Sequence, residues 1–581
     1  MNKTKIIATL GPNSQSVDQL VEFIQAGMNV ARINLSHGNR ESHLKLINMV
    51  KGARTKAGTD TAILLDTRGP EMRIQELEKD IVLLKGQEII LGPTPVTDPT
   101  NRVGINYAHF AEDVEVGCKV LLDDGKILLK VIRISGDEVY TEVLVGGKLS
   151  SRKRVALPGM VVNLPSLSEE DEADIIFGVE QGVDFIAASF VRQANDVWAV
   201  RKVIENCGGR QAIIAKIENR QGVENIDKII KAAEGLMVAR GDLGVEMPAE
   251  EVPVIQKKLI KAANLAGKPV ITATQMLESM ISNPTPTRAE ASDVTNAIFD
   301  GTDAVMLSAE TAVGSNPLDA IRFLTRCAHI SENSLDYEDI LAAGLRHRRA
   351  VVTDAISYAS CATAADLEAA AIIATTTSGS TARMVARYRP KAPIIAVSPH
   401  QETIRQLQLI RGVEPLLSAP ASSMDEQIDM SIHAATQAQL VHNGDLVVIT
   451  AGFPIQTIGT TNMLKVHTVA DVCFTGQGIG TQVLDGHVRV INSEEDWQDL
   501  PQDVIVVITA TDHTMLDKLT GVRGIIAEQP GLTSHAAIIG RELEIPVICN
   551  VTNATKLFEN DQTVTIDGNT GQICYGSLRG Q

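Results

Sequence analysis

The stretch IIAKIENRQG, residues 213 to 222, begins as an apolar, β-branched run suited to a buried strand, yet it carries Lys216 and Glu218 at its end, one residue apart. Residues two apart on a strand point to one face, so the ammonium and the carboxylate project together. Taken alone, the pair reads first as a salt bridge closing a strand end, a contact worth little. Seven similar runs decide how to read it: KIIATLG (5–11), MNVARINLS (28–36), AILLDTRG (62–69), VDFIAASF (183–190), GLMVARGD (235–242), PVITATQ (269–275) and AVMLSAE (304–310). Each is followed by a helix-like segment. Eight such units predict an α/β fold built on a closed parallel (β/α)8 barrel, with an open doubly wound sheet as the alternative. Most of the runs carry their polar residues at the carboxyl end, where barrel enzymes keep their chemistry.

The 581 residues suffice for three or four domains. A net charge of −18 argues against a nucleic-acid binder, and 3% aromatic content leaves few stacking platforms. The seven cysteines are far apart with no C-x-x-C pair, which predicts neither a disulfide framework nor a zinc site and points to a reducing, cytoplasmic compartment. No run of about 20 apolar residues occurs, so no membrane insertion is expected.

More than 100 residues separate the third run from the fourth. They change to short alternating strands with Asp-Gly and Gly-Asp turns (LLDDGKILLKVIRISGDEVYTEVL), the mark of a small antiparallel β domain. An insertion there emerges at the catalytic face and is placed to act as a lid. The expected division is a barrel of residues 1–69 and 167–345, an inserted β lid of 70–166, a second α/β domain of 346–475 and an extra domain of 476–581, with a polar linker near 471–485.

Collecting the strand-end polar residues gives Arg32, Asn34 and Ser36, then Asp66 and Thr67, Lys216 and Glu218, Asp242, and Thr274. Glu218 and Asp242, on neighbouring strands, are hard oxygen ligands of the kind Mg2+ takes together with water and substrate oxygens. Lys216 and Arg32 would face the same anion. That assembly suits phosphoryl transfer, in which the protein positions groups and neutralises charge.

KIENRQGV, MVARGDLGVE, ITATQMLESMI, PTPTRAEASDV, RINLSHG and LLDTRGPEMR resemble the motifs of the pyruvate kinase family over roughly residues 1 to 475. The resemblance implies transfer of the phosphoryl group of phosphoenolpyruvate to ADP in a cytoplasmic homotetramer. It implies Mg2+ (or Mn2+) on Glu218 and Asp242, and Lys216 stabilising the transition state. Arg32 would sit on the phosphoryl group, the Gly241 and Asp242 amides on the substrate carboxylate, and Thr274 on the protonation route. It also implies nucleotide contacts from Asn34, His37, Arg73 and Lys153, and a K+ site of Asn34, Ser36, Asp66 and Thr67, with Glu71 as the residue that accompanies K+ dependence. The chain departs from the family pattern at the entry to the lid and within it. RIQELEKD follows the third strand in place of an Arg-Thr-Gly turn, KRVALPG replaces Lys-Gly-Val-Asn, and Arg68 replaces the commoner Lys.

Two further segments carry signals. TTTSGSTAR (375–383) reads locally as a capped helix start or as a phosphate cradle. It resembles the family's effector loop, with Thr376, Ser378, Gly379 and Thr381 at the contact positions. Neutral Thr377 and Ser380 favour a sugar monophosphate or AMP as the activator. PGLTSHAAIIGR (530–541) resembles the swivelling phosphohistidine domain of phosphoenolpyruvate-using enzymes, with His535 at the phosphorylated position. Pro530 replaces a usual glycine and nothing in the chain reads as an ATP-grasp partner, so a structural or regulatory appendage is the preferred reading. A dikinase-type enzyme and a non-catalytic sugar-phosphate module are the rival functions. The first accounts for the tail and the second for the Thr-Ser loop, and neither accounts for the whole strand-end cluster.

Overall fold

Each barrel strand is apolar on both faces, because one face fills the barrel and the other carries the helices. Ile7, Val30, Leu64, Ala187, Ile214, Met237, Ile271 and Met306 form the interior cluster, while neighbours such as Ile6, Ala31, Ile63, Ile186 and Ile213 pack outward. This is why the strands read as continuous hydrophobic runs rather than alternating ones. The computed structural model describes residues 2–94, 101–160, 162–454, 459–469, 472–498 and 500–576.

The eight barrel strands are Lys5–Leu10, Met28–Asn34, Ala62–Asp66, Phe185–Ala188, Ala212–Ile217, Gly235–Ala239, Val270–Ala273 and Ala304–Leu307. They close in sequential order with every pairing parallel. Helix starts are set locally. Asn39, Ser168 and Thr287 each accept a backbone N–H three residues on and close reciprocal capping boxes. Between the third and fourth strands lies the inserted β domain, a seven-stranded sheet and a two-stranded one around its own core of Ile89, Leu91, Val120, Leu129 and Val139.

Beyond the barrel, four parallel strands (Val413–Leu417, Ile394–Ser398, Ala371–Thr375, Leu446–Gly452) and an antiparallel edge strand, Thr461–Thr468, form the next sheet. Leu409 of this region joins the barrel's interior cluster, and the buried Lys5 ammonium donates to the Val413 carbonyl at 2.7 Å. The final sheet has eight strands, among them Val504–Ile508, Gly524–Ala527 and Val547–Cys549. The expected linker near 471–485 differs from what is found. Val472–Thr475 pairs with Gln572–Tyr575, and Gln477–Ile479 with Val547–Cys549, so these residues form edges of the last sheet; Asp471 lies outside the described residues. Edge strands of three or four residues are too short to show a periodic pattern in sequence, although Phe474 packs on Phe558 and Tyr575 and Ile479 is buried. Among the described residues, no helix is long and apolar enough to cross a membrane.

Candidate active site

The second and third strands pair in a register that sets Asn34 opposite Asp66, which brings the polar ends of both runs together. Asp66 is fully buried and accepts from Arg32 Nε at 2.7 Å through Oδ2, while its Oδ1 lies 3.0 Å from the Lys216 ammonium. Lys216 reaches Glu218 Oε1, also at 3.0 Å, and donates to Ser189 Oγ at 2.7 Å. Arg32 donates further to Thr9 Oγ1 at 2.9 Å. Strands one to five thus contribute Thr9, Arg32, Asp66, Ser189, Lys216 and Glu218 to one buried network.

Each charge in this network is held by its neighbours. Burial works against the Asp66 carboxylate, but Lys216 and Arg32 outweigh it and hold the carboxyl below its usual range. Burial likewise opposes the Lys216 ammonium, and Asp66 and Glu218 together keep it above its ordinary value. Glu218 is pushed up by burial; Lys216 opposes the shift and Asp242 adds to it. A divalent cation held by both carboxylates would offset that contribution. The donor set is hard oxygen, as such an ion requires. Among the described residues no group of three or more His, Cys, Asp or Glu side chains forms a cage, so substrate and water would have to complete the shell.

The sixth and seventh strands add a second cluster. Thr274 Oγ1 accepts from the Gly241 amide at 2.9 Å and donates to the Ala273 carbonyl at 2.6 Å. Thr274 (φ 65°) and Gln275 (φ 55°) are left-handed, as is Phe190 (φ 54°) after the fourth strand, where its amide donates to Glu218 Oε2 at 2.6 Å. Non-glycine residues hold that conformation at a cost of about 1–3 kcal/mol each, a strain that gathers at sites where side chains must be aimed.

The remaining expected residues are spread more widely. The Asn34 side chain accepts from the Ser36 amide at 3.1 Å, Ser36 is exposed, and Thr67 is buried against the Ala187 carbonyl. His37 is exposed on the following loop. Arg73 pairs with Glu71 and donates to the Arg152 carbonyl, and Lys153 is held by Asp123 at 2.8 Å, inside the lid. Arg68 pairs with Glu170 at 2.7 Å. At the end of the strand Ala371–Thr375 beyond the barrel, Thr376, Ser378 and Thr381 line a small polar pocket with Thr377 and Ser380, Gly379 turns the chain at φ 79°, and Arg383 donates to the Ser378 carbonyl. His535 is exposed at the start of the helix His535–Glu542.

Thr9, Ser189 and Arg154 are absent from the sequence-based set, although Thr9 lies near the carboxyl end of the run KIIATLG. Ser189 ends the run VDFIAASF, so the same strand-end rule reaches it. Arg154 comes from the lid, where that rule says nothing. Its guanidinium lies 2.5 Å from Asp242 Oδ1.

The pattern described as the pyruvate kinase barrel domain matches residues 1–321, and its alpha/beta domain matches residues 354–467. The chain belongs to the pyruvate kinase family. Pyruvate kinase of Geobacillus stearothermophilus is 49% identical over 579 residues, that of Bacillus licheniformis 46% over 581, and that of Staphylococcus aureus (strain MRSA252) 43% over 581, each match covering 99% of both chains. As a pyruvate kinase family member the chain is an enzyme, a phosphotransferase of the glycolytic class that depends on metal ions. Residues 500–571 match the PEP-utilising enzyme mobile domain, and the full-length relatives extend across this tail.

Proposed function

We propose that the enzyme transfers the phosphoryl group of phosphoenolpyruvate to ADP, giving pyruvate and ATP in the last step of glycolysis. The observation that carries this reading is the Lys216 ammonium between Asp66 and Glu218, with Arg32 on the other side of Asp66. Two cations in one buried pocket suit a travelling phosphoryl group, because they are pre-aimed in a low-dielectric site and need no reorganisation. Arg32 binds the phosphoryl oxygens, and Lys216 stabilises charge on the bridging and enolate oxygens. The Gly241 and Asp242 amides receive the substrate carboxylate, with the Gly241 amide exchanging its bond to Thr274 Oγ1. Thr274, freed of that bond, stands on the route by which the enolate is protonated.

Glu218 and Asp242 hold Mg2+ (or Mn2+), which when bound supplies Lewis acidity toward the phosphoryl oxygens. Asn34, Ser36, Asp66 and Thr67 hold K+, and Glu71 goes with that dependence. Asn34, His37, Arg73 and Lys153 contact the nucleotide, Lys153 giving up Asp123 to do so. The pocket of Thr376, Ser378 and Thr381, turned at Gly379, takes a phosphorylated activator, with a sugar monophosphate or AMP favoured. We further read the enzyme as a cytoplasmic homotetramer divided at 1–69 with 167–345, 70–166, 346–475 and 476–581, and the tail as a structural or regulatory appendage.

The test is a coupled pyruvate assay on the purified chain with phosphoenolpyruvate, ADP, Mg2+ and K+, repeated with Na+ and with candidate activators. Pyruvate formation that falls when K+ is replaced supports the reading. Absence of turnover refutes it, and undiminished turnover in Na+ removes the K+ site. Formation or consumption of AMP would favour a dikinase instead.

A further inference from the structure

Arg154 crosses from the lid into the barrel's carboxyl face. Its side chain is 10% exposed, and its terminal nitrogen donates to Asp242 Oδ1 at 2.5 Å. Glu71 Oε1 lies 3.7 Å away and Glu246 Oε1 3.9 Å away, and the guanidinium stacks over the Phe190 ring at 4.8 Å. The backbone amide of that same Phe190 donates to Glu218. One lid cation thus faces carboxylates from the lid root and from the helix Arg240–Glu246 that follows the sixth strand, and rests on the residue that positions Glu218. Burial alone would disfavour the charge, and Asp242, Glu71, Glu246 and Glu218 together reverse that.

An arginine with three carboxylate partners and an aromatic platform is pre-organised and gives up little entropy on binding. Asp242 has one carboxylate group to share between this guanidinium and a divalent cation, and two cations against one carboxylate repel. We infer that Arg154 is a positioning residue that ties the lid to Asp242, so that lid contact and divalent-metal binding oppose each other at that carboxylate. This rests on the reading of Glu218 and Asp242 as metal ligands. It predicts that the free enzyme, with Arg154 on Asp242, holds metal weakly, and that the arginine turns from Asp242 toward Glu71 and Glu246 when metal is bound.

The test uses Mn2+ as the probe, titrated by its free-ion paramagnetic resonance signal without phosphoenolpyruvate or nucleotide. Arg154→Gln should lower the Mn2+ Kd by about tenfold, the size expected when one competing charge-assisted contact is lost. Arg154→Lys keeps the charge but not the fork and should fall between; it carries the test if the glutamine variant does not fold. Lys153→Gln removes a neighbouring lid cation bound to Asp123 rather than Asp242 and should leave Kd within about twofold, separating the contact from bulk charge. Hydrogen exchange at 70–74 and 152–157 should rise on Mn2+ addition in the wild type and be already high in Arg154→Gln. Unchanged or weaker Mn2+ binding in Arg154→Gln overturns the inference, as does a response matched by Lys153→Gln. Asp242→Asn separates the two levels: if it binds Mn2+ as the wild type does, the metal reading fails, whereas if it loses Mn2+ and Arg154→Gln does not tighten it, the lid inference alone fails.

Discussion

The two ends of the barrel both bury charge, and they do so for opposite purposes. At the amino end, acidic or amide side chains just before or at a strand's start accept an amide from the first two residues of a neighbouring strand. Asp184 takes the Ile63 amide at 2.8 Å, Asp303 that of Val270 at 3.0 Å, Glu234 that of Ile213 at 2.9 Å, and Asn29 that of Ile6 at 3.0 Å. These acceptors complete strand ends that the ladder leaves short of partners. At the carboxyl end the carboxylates meet movable cations instead: Asp66 meets Arg32 and Lys216, and Asp242 meets Arg154. A carboxylate spent on backbone amides stabilises the fold. One facing side-chain cations can exchange them for a substrate or a metal ion. Substitutions at the two ends should therefore separate turnover from stability.

The largest expected effect is at the carboxyl end. Lys216→Met removes a cation aimed at charge that grows in the transition state, so turnover should fall by about three orders of magnitude. The KM for phosphoenolpyruvate should change only a few-fold, because Arg32 and the Gly241 region remain. Steady-state kinetics in the coupled assay reads both values. A loss confined to KM would mean that Lys216 acts in binding, and near-normal turnover would remove it from the mechanism.

At the amino end the corresponding test is pH-dependent stability. Burial pushes the Asp184 carboxyl up from 3.8 to about 6, with the Ile63 amide and then Arg405 and Arg54 opposing. The fold therefore favours the neutral acid. Its contribution is fully present below the unfolded value near 3.8 and is lost as pH rises through about 6. At about 1.4 kcal/mol per pKa unit, the two-unit shift corresponds to about 3 kcal/mol of pH-dependent stability. Asp184→Asn retains an acceptor for Ile63 and cannot ionise, so its melting temperature should fall less than the wild type's between pH 4 and 7. Turnover per folded molecule should not change. Equal slopes for the two proteins would refute the assignment.

Much of the carboxyl-end site was legible in sequence for one geometric reason. A parallel barrel brings the end of every strand to one rim, so choosing the polar residue at each end assembles the network before any contact is known. Ser189 obeys that rule. The lid obeys none, because an inserted domain's approach to the rim depends on its hinge and packing, and Arg154 has no periodic mark. Its one signal is the KRVALPG departure from the family's Lys-Gly-Val-Asn. The amino-end acceptors are written just as openly, as the acid before the strand in Asp184-Phe185, Glu234-Gly235 and Asp303-Ala304. An acid preceding a strand is also ordinary turn composition, however, and only the parallel pairing shows which amide it serves. The edge strands near residue 475 stay hidden because three or four residues are too few to show a period.

The smallest effect tests whether amino-end acceptors differ by exposure. The Glu234 side chain is 44% exposed and also pairs with Arg201, whereas Asp303 is nearly buried and shared with Arg389. Glu234→Ala leaves the Ile213 amide without its acceptor, but water can reach a half-open position, so the cost should be about 1 kcal/mol. Asp303→Ala strands the Val270 amide in a drier place and takes the carboxylate from Arg389, which keeps only the neutral acceptors of Asn264 and Gly301, and should cost more. Denaturant midpoints at pH 7 measure both. If the two variants lose the same stability, the amino-end carboxylates act through net charge rather than through the amides they hold, and the contrast between the two ends of the barrel reduces to electrostatics alone.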